Sequence, residues 1–178
     1  MKRLFTAILV AAALAPAPVS GAEDVTRTSR PVRLIRSWEE TVKTGSGREY
    51  PRRVEVVIDY RKGMAVENFY TLDGKLAGSL SLGAGHPAPS REEIGEAYDF
   101  VRSDPEFARI FQRFKPVFEG GFVLLEDEGR PCGPGSRCLR VFLLSSDRAG
   151  TIRQVVVDLA KQRVAYADFT PETRRDGR

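Results

Sequence analysis

Histidine is nearly absent from this sequence: His86 is the only one in 178 residues. That scarcity excludes every multi-histidine metal site and leaves any Ser-His-Asp or Cys-His pairing dependent on His86 alone. His86 stands between Gly85 and Pro87, with neither a GxSxG elbow nor a papain-like cysteine context, and it reads as a structural linker residue. Cysteine is almost as scarce, with only Cys132 and Cys138. Two cysteines and one histidine would need an unusual fourth ligand to hold zinc, and five intervening residues is not finger spacing. No GxGxxG or Walker loop occurs, so no nucleotide cofactor is implied. The acidic run Glu126-Asp127-Glu128 lacks the Asp-x-Asp-x-Asp-Gly arrangement that wraps calcium, and it reads as a solvated strand end. Basic residues are not interleaved with aromatics in a stripe, which argues against nucleic acid as a partner.

Long apolar runs are missing too, apart from one at the start. The chain opens MKRLFTAILVAAALAPAPVSGAED, with Lys2 and Arg3, an apolar stretch from Leu4 to Leu14, and Ser20-Gly21-Ala22. That order is tripartite, too short to span a bilayer, and has small residues where a signal peptidase cuts. Residues 1–22 are therefore expected to be a signal peptide. Cleavage after Ala22 leaves a periplasmic or secreted protein of residues 23–178 without stable membrane insertion. Loss of Lys2 and Arg3 takes the formal charge from +4 to +2, so the chain's pI of about 9.3 overstates how basic the mature protein is. Arg27, Arg30, Arg33, Arg36 and the basic tail 172–178 read as solvated ends.

Export bears on the cysteines. A thioredoxin-type pair is CxxC at a helix start, where the helix dipole activates one sulfur. Cys132 and Cys138 instead flank Gly-Pro-Gly-Ser-Arg between two strand-like runs, and an even count in an exported chain points to a disulfide rather than a redox switch or metal site. So short a closed loop is worth on the order of 2 kcal/mol.

The patterning is that of an α+β protein. Residues 23–50 read as a flexible leader containing a candidate strand through Val32, Leu34 and Trp38. Residues 51–84 read as a three-strand antiparallel meander. Its first strand alternates Val54, Val56, Ile58 and Tyr60 against Glu55, Val57 and Asp59. Asp73-Gly74 predicts a two-residue type I′ turn. Gly83-Ala84-Gly85 reads as a hinge. Ser90 and Glu93 then form a capping box, with Ile94, Ala97, Tyr98 and Val101 on one helical face. Ser103-Asp104-Pro105 starts a second helical piece whose apolar face is Phe107, Ile110, Phe111 and Phe114. Glu92, Glu93, Glu96 and Asp99 read as ordinary charge on the polar side of the helix. After Gly120-Gly121, four strands are expected: FVLLED, CLRVFLLSS, TIRQVVVDL and RVAYADF.

Residues 85–171 carry a resemblance. GHPAPSREEIGEAYDFVRSDPEFARIF is similar to the start of the small amino-terminal domains of copper amine oxidases, with His86, Pro87, Ser90, Glu93, Ile94, Ala97 and Val101 in matching places. TIRQVVVDLAKQRVAYADFTP resembles that family's closing strands through Val156, Val157, Asp158 and Leu159. The resemblance implies a cystatin-like α+β fold, shared by the PepSY group: one broken helix packed on a four-strand antiparallel meander, here with an additional amino-terminal antiparallel strand segment. The 178 residues contain neither the Asn-Tyr-Asp/Glu cofactor tyrosine nor the copper-binding histidines of the amine oxidases' catalytic domain. Amine oxidation therefore does not carry over, and no cofactor is expected.

The expectation is an exported, non-enzymatic binding or accessory module whose partner is an unknown protein or small ligand. Other classes make separate demands. A small-molecule carrier needs a cavity between helix and sheet. A cystatin-type protease inhibitor needs Gln154-Val155-Val156-Val157 on an exposed loop, although Asp158 replaces that motif's glycine. A hydrolase or isomerase needs a deep pocket holding His86, or a buried carboxylate near Tyr98. The stapled tip between Gly129 and Cys138, bearing Arg130 and Arg137, is the candidate interaction surface.

Overall fold

The period-2 alternation from Val54 to Tyr60 gives a strand one apolar face to pack against another layer, and Val54, Val56, Ile58 and Tyr60 are all buried. The computed structural model describes residues 31–83 and 86–169. The expected signal peptide, the basic tail, Arg27, Arg30 and most of the glycine hinge lie outside the described residues.

The first sheet is antiparallel, in the order β1 (Val32–Lys43), β2 (Glu49–Asp59), β3 (Met64–Tyr70) and β4 (Leu76–Ser81). β2, β3 and β4 are the three-strand meander expected over 51–84, and the candidate strand through Val32, Leu34 and Trp38 adds β1 as a fourth. Part of the stretch read as a leader is β1, which pairs along β2 from Val32↔Asp59 to Lys43↔Glu49. Its charged composition hides it, since an edge strand needs little apolar surface. Asp73-Gly74 does turn the chain, but within a longer connection closed by Thr71 N→Lys75 O (2.9 Å) and Gly74 N→Thr71 O (2.9 Å). Only Gly74 takes a positive φ, at 85°, so this is not the two-residue type I′ turn expected.

The helical part follows its caps. The Ser90 hydroxyl accepts from the Glu93 amide (3.1 Å) and the Glu93 carboxylate accepts from the Ser90 amide (2.9 Å), opening α1 (Arg91–Ser103). Asp104 caps a single 3-10 turn (Pro105–Phe107) that leads into α2 (Ala108–Phe114). Lys115, at φ 45°, ends α2.

The second sheet is also antiparallel, in the order β5 (Val117–Leu124), β6 (Cys138–Leu144), β7 (Thr151–Asp158) and β8 (Arg163–Tyr166). β5 begins ahead of Gly120-Gly121 instead of after it, and the glycine pair forms a register shift within the strand. A Cβ on Gly121 would stand 2.6 Å from Ile94 Cγ1, so the missing side chain lets α1 lie close across the sheet. Ala97, Val101 and Phe107 pack there with Leu139, Val141, Leu143, Val155 and Val157. Ile35, Val56, Ile58, Tyr60 and Ala65 of the first sheet belong to the same buried cluster. A smaller cluster of Cys132, Cys138, Val156 and Phe169 is separate from it. The molecule is thus α+β, with two four-stranded antiparallel sheets and few helices.

Candidate functional site

The loop from residue 125 to 137 has little hydrophobic periodicity, and its shape comes from hydrogen bonds that tie it to itself. Glu126 N donates to Cys132 O (3.2 Å), Gly133 N to Arg130 O (3.1 Å) and Ser136 N to Gly133 O (3.1 Å). The Glu126 carboxylate accepts from the Cys132 amide (3.1 Å) and from the Tyr166 hydroxyl (2.8 Å). Burial and that carboxylate push the Tyr166 phenol up to about 12. A Cβ on Gly133 would meet Asp127 O at 2.6 Å, so this turn admits only glycine without rearrangement. Cys132 and Cys138 are joined in a disulfide with their Cα atoms 5.7 Å apart, and both are almost fully buried.

Bracing the loop turns Arg137 inward. Its amide donates to Asp158 Oδ1 (3.2 Å), and its carbonyl accepts from the Leu159 amide (2.9 Å). Asp158 Oδ1 also accepts from the amides of Ala160 and Lys161, so this carboxylate shapes the turn after β7. Lys161 Nζ approaches Asp158 Oδ2 at 3.4 Å without a well-directed hydrogen bond, while donating to Ser136 Oγ at 2.8 Å. The Arg137 guanidinium, 1% exposed, grips Glu93 side-on through Nε–Oε1 (2.8 Å) and Nη2–Oε2 (2.9 Å). Nη2 also donates to Pro87 O (3.1 Å).

Glu93 is fully buried and accepts two further bonds, from the Tyr60 hydroxyl (2.5 Å) and from the Ser90 amide. Burial pushes its carboxyl up. The bonds and charge of Arg137, with the Tyr60 hydroxyl and Ser90 amide, outweigh that and hold it below the usual carboxylate range. Burial and the neighbouring Glu93 charge push the Tyr60 phenol far up, so it stays a donor. Arg33 of β1 pairs with Glu96 one turn along α1 and lies over the Tyr60 ring at 5.1 Å. A carboxylate occupied by an arginine, a phenol and an amide is a poor proton acceptor for a substrate; it is well suited to holding three segments together.

His86 lies beside this cluster and lines a cleft of about 260 Å³ with Lys62, Glu126, Cys132 and Pro134. Its Nδ1 is buried without a hydrogen-bond partner. Burial, then the Arg137 charge, lower its pKa from the ordinary 6.5.

The two arginines expected on an exposed tip therefore part company. Arg130 sits half-buried in a turn of the loop, its amide on Asp127 O (3.3 Å). Arg137 is no part of an exposed tip, because its side chain turns into the molecule to neutralise a buried carboxylate. Glu93, read above as surface charge, is the centre of the cluster. The overlooked signal is its i, i+4, i+8 spacing with Ala97 and Val101, which puts Glu93 on the buried face of α1. Gln154 lies within the interior strand β7, opposite Phe142, followed by fully buried Val155, Val156 and Val157. It offers no loop wedge. Tyr98 stacks on Phe118 with centroids 4.7 Å apart. Among the described residues no group of three or more His, Cys, Asp or Glu side chains is placed to hold a metal ion, and no helix is long and apolar enough to cross a membrane.

No protein-family model matches this sequence, and no curated protein matches it significantly.

Proposed function

We propose that this chain is an exported, non-enzymatic binding or accessory module whose second half is a cystatin-like domain of the kind found at the periphery of copper amine oxidases. One observation carries the non-enzymatic reading. Glu93, the most deeply buried carboxylate beside the single histidine, is already occupied by Arg137, Tyr60 and Ser90. A general base needs a lone pair free for the substrate proton. The order α1, α2 and then four antiparallel strands in sequence supports the cystatin-like reading. The buried disulfide supports an oxidising compartment, where such bonds persist.

The test is a turnover assay of the purified chain against ester, glycoside, peptide and primary-amine substrates, with His86→Ala and Glu93→Gln as companions. The same low background in all three proteins is the expected result. Turnover by the parent chain that disappears in His86→Ala would overturn the non-enzymatic reading, because His86 is only partly buried and its loss should leave the fold intact.

A further inference from the structure

Four strands end the two sheets, and three of them are defended against pairing with another chain. β1 carries Arg33, Arg36, Glu39, Glu40 and Lys43 and a register shift at Ile35. β5 is bent by its glycine pair, and β8 is only four residues long. Charges, bulges and shortness are the devices that keep edges from templating foreign strands. β4 reads LAGSLS, with no charged residue and no proline, and all of its residues but Gly78 are exposed. Its one irregularity lies at the hairpin end, opposite Tyr70, and leaves Gly78–Ser81 in regular register with β3. Leu76 is 59% exposed and Leu80 53%, with Leu72 in the adjoining hairpin at 59%.

We propose that the free edge of β4 is a self-association surface, on which a second copy of this chain lays its own β4 antiparallel about a twofold axis at Ser79, so that Ser79 faces its own copy. Among the described residues β4 pairs with β3 alone, so its outer side presents a solvated row of backbone donors and acceptors that another extended strand can take up in register. Charge selects the occupant. The strand is neutral, Lys75 and Asp73 neutralise each other at 2.9 Å in the hairpin, and the acidic Glu67 of β3 stands opposite Leu80. An acidic peptide would be repelled by Glu67 and a basic one finds no partner on β4 itself, whereas a copy of this strand sets no like charges directly opposite each other. The small residues Gly78 and Ser79 at the centre let the two backbones approach, while the leucines shield the new ladder from water. Two sheets of four strands would join into one of eight. An antiparallel twofold is isologous and closes, so the assembly stops at a dimer. This surface lies outside the Glu93 cluster, and its failure would leave the reading of that cluster untouched.

Sedimentation equilibrium of the purified chain should show a mass that doubles with concentration. Ser79→Lys, which sets two like charges face to face across the axis, should weaken the dimer at least about tenfold. Thr41→Lys on the opposite edge should leave it unchanged. Ser79→Cys should form an interchain disulfide on mild oxidation, since the native cysteines are already joined. That variant decides the matter if Ser79→Lys proves unstable. A parent chain that stays monomeric up to about 1 mM would overturn the proposal. So would a dimer that survives Ser79→Lys in folded protein, or one that cannot be cross-linked through residue 79.

Discussion

Arg137 and Glu93 are each about 1% exposed, and two charges withdrawn so far from water are tolerable only because each answers the other. Removing one partner leaves the other charged and buried, which costs about 3–5 kcal/mol. Arg137→Met should therefore lower the unfolding free energy in urea by about that amount, while the double variant Glu93→Gln/Arg137→Met should lie closer to the parent than the two single costs add to. His86 is a built-in reporter, being the sole imidazole in a proton spectrum. Its depressed pKa owes part of its shift to the Arg137 charge, so in Arg137→Met its titration should move upward. An unmoved His86 would mean the guanidinium lies too far away to matter. The pH dependence has a definite sign. Both groups have folded pKa values below their ordinary values of 6.5 for His86 and 4.5 for Glu93. The stability each contributes is present above its ordinary value and is lost as pH falls through its depressed folded value. Acid titration of the parent should thus weaken the fold through both ranges, and Glu93→Gln should lose less stability in the lower one, where Glu40, Asp73, Glu92 and Asp147 also titrate below their ordinary values.

At the scale of elements, α1 and β5 test whether the glycine pair is structural. Gly121 has φ 103° and no room beside Ile94, so Gly121→Ala should destabilise by about 1–3 kcal/mol. Gly150, in the turn between β6 and β7, would give a Cβ nothing within 4 Å, so Gly150→Ala should change stability by no more than about 0.5 kcal/mol. Paired thermal melts would separate the two. Equal effects would contradict close packing of α1 over Gly121. The caps of α1 and of the 3-10 turn were legible in Ser90-x-x-Glu93 and Asp104-Pro105 because both motifs act within one turn of chain. The start of β5 was not, since a glycine pair marks a break in most contexts and here serves as a bulge. β1 was legible only as a candidate, because a charged edge strand looks locally like solvated coil.

At the scale of the whole molecule, the first sheet is tied to α1 by the Tyr60–Glu93 bond and the Arg33–Glu96 pair. It meets the cysteine loop where Gly63 would bring a Cβ within 3.3 Å of the Gly135 nitrogen. Tyr60→Phe removes one hydrogen bond to a buried charge, worth about 1.5–3 kcal/mol, and leaves the ring in place. Hydrogen exchange should then show amides of β1 to β4 losing protection ahead of those in β5 to β8. Uniform loss across both sheets would show that the hydroxyl does not control this junction.

The amino-acid sequence by itself determined the α+β class, the antiparallel order of the later strands, the helix caps and the pairing of the only two cysteines. Each follows from spacing along one element or between chain neighbours, where periodicity and turn chemistry suffice. Only the tertiary structure decided that Arg137 turns inward and that Glu93, 44 residues earlier, receives it. Periodicity tells which way a side chain faces on its own helix or strand. A loop has no period, and which charges neutralise one another in the interior depends on how separate elements dock.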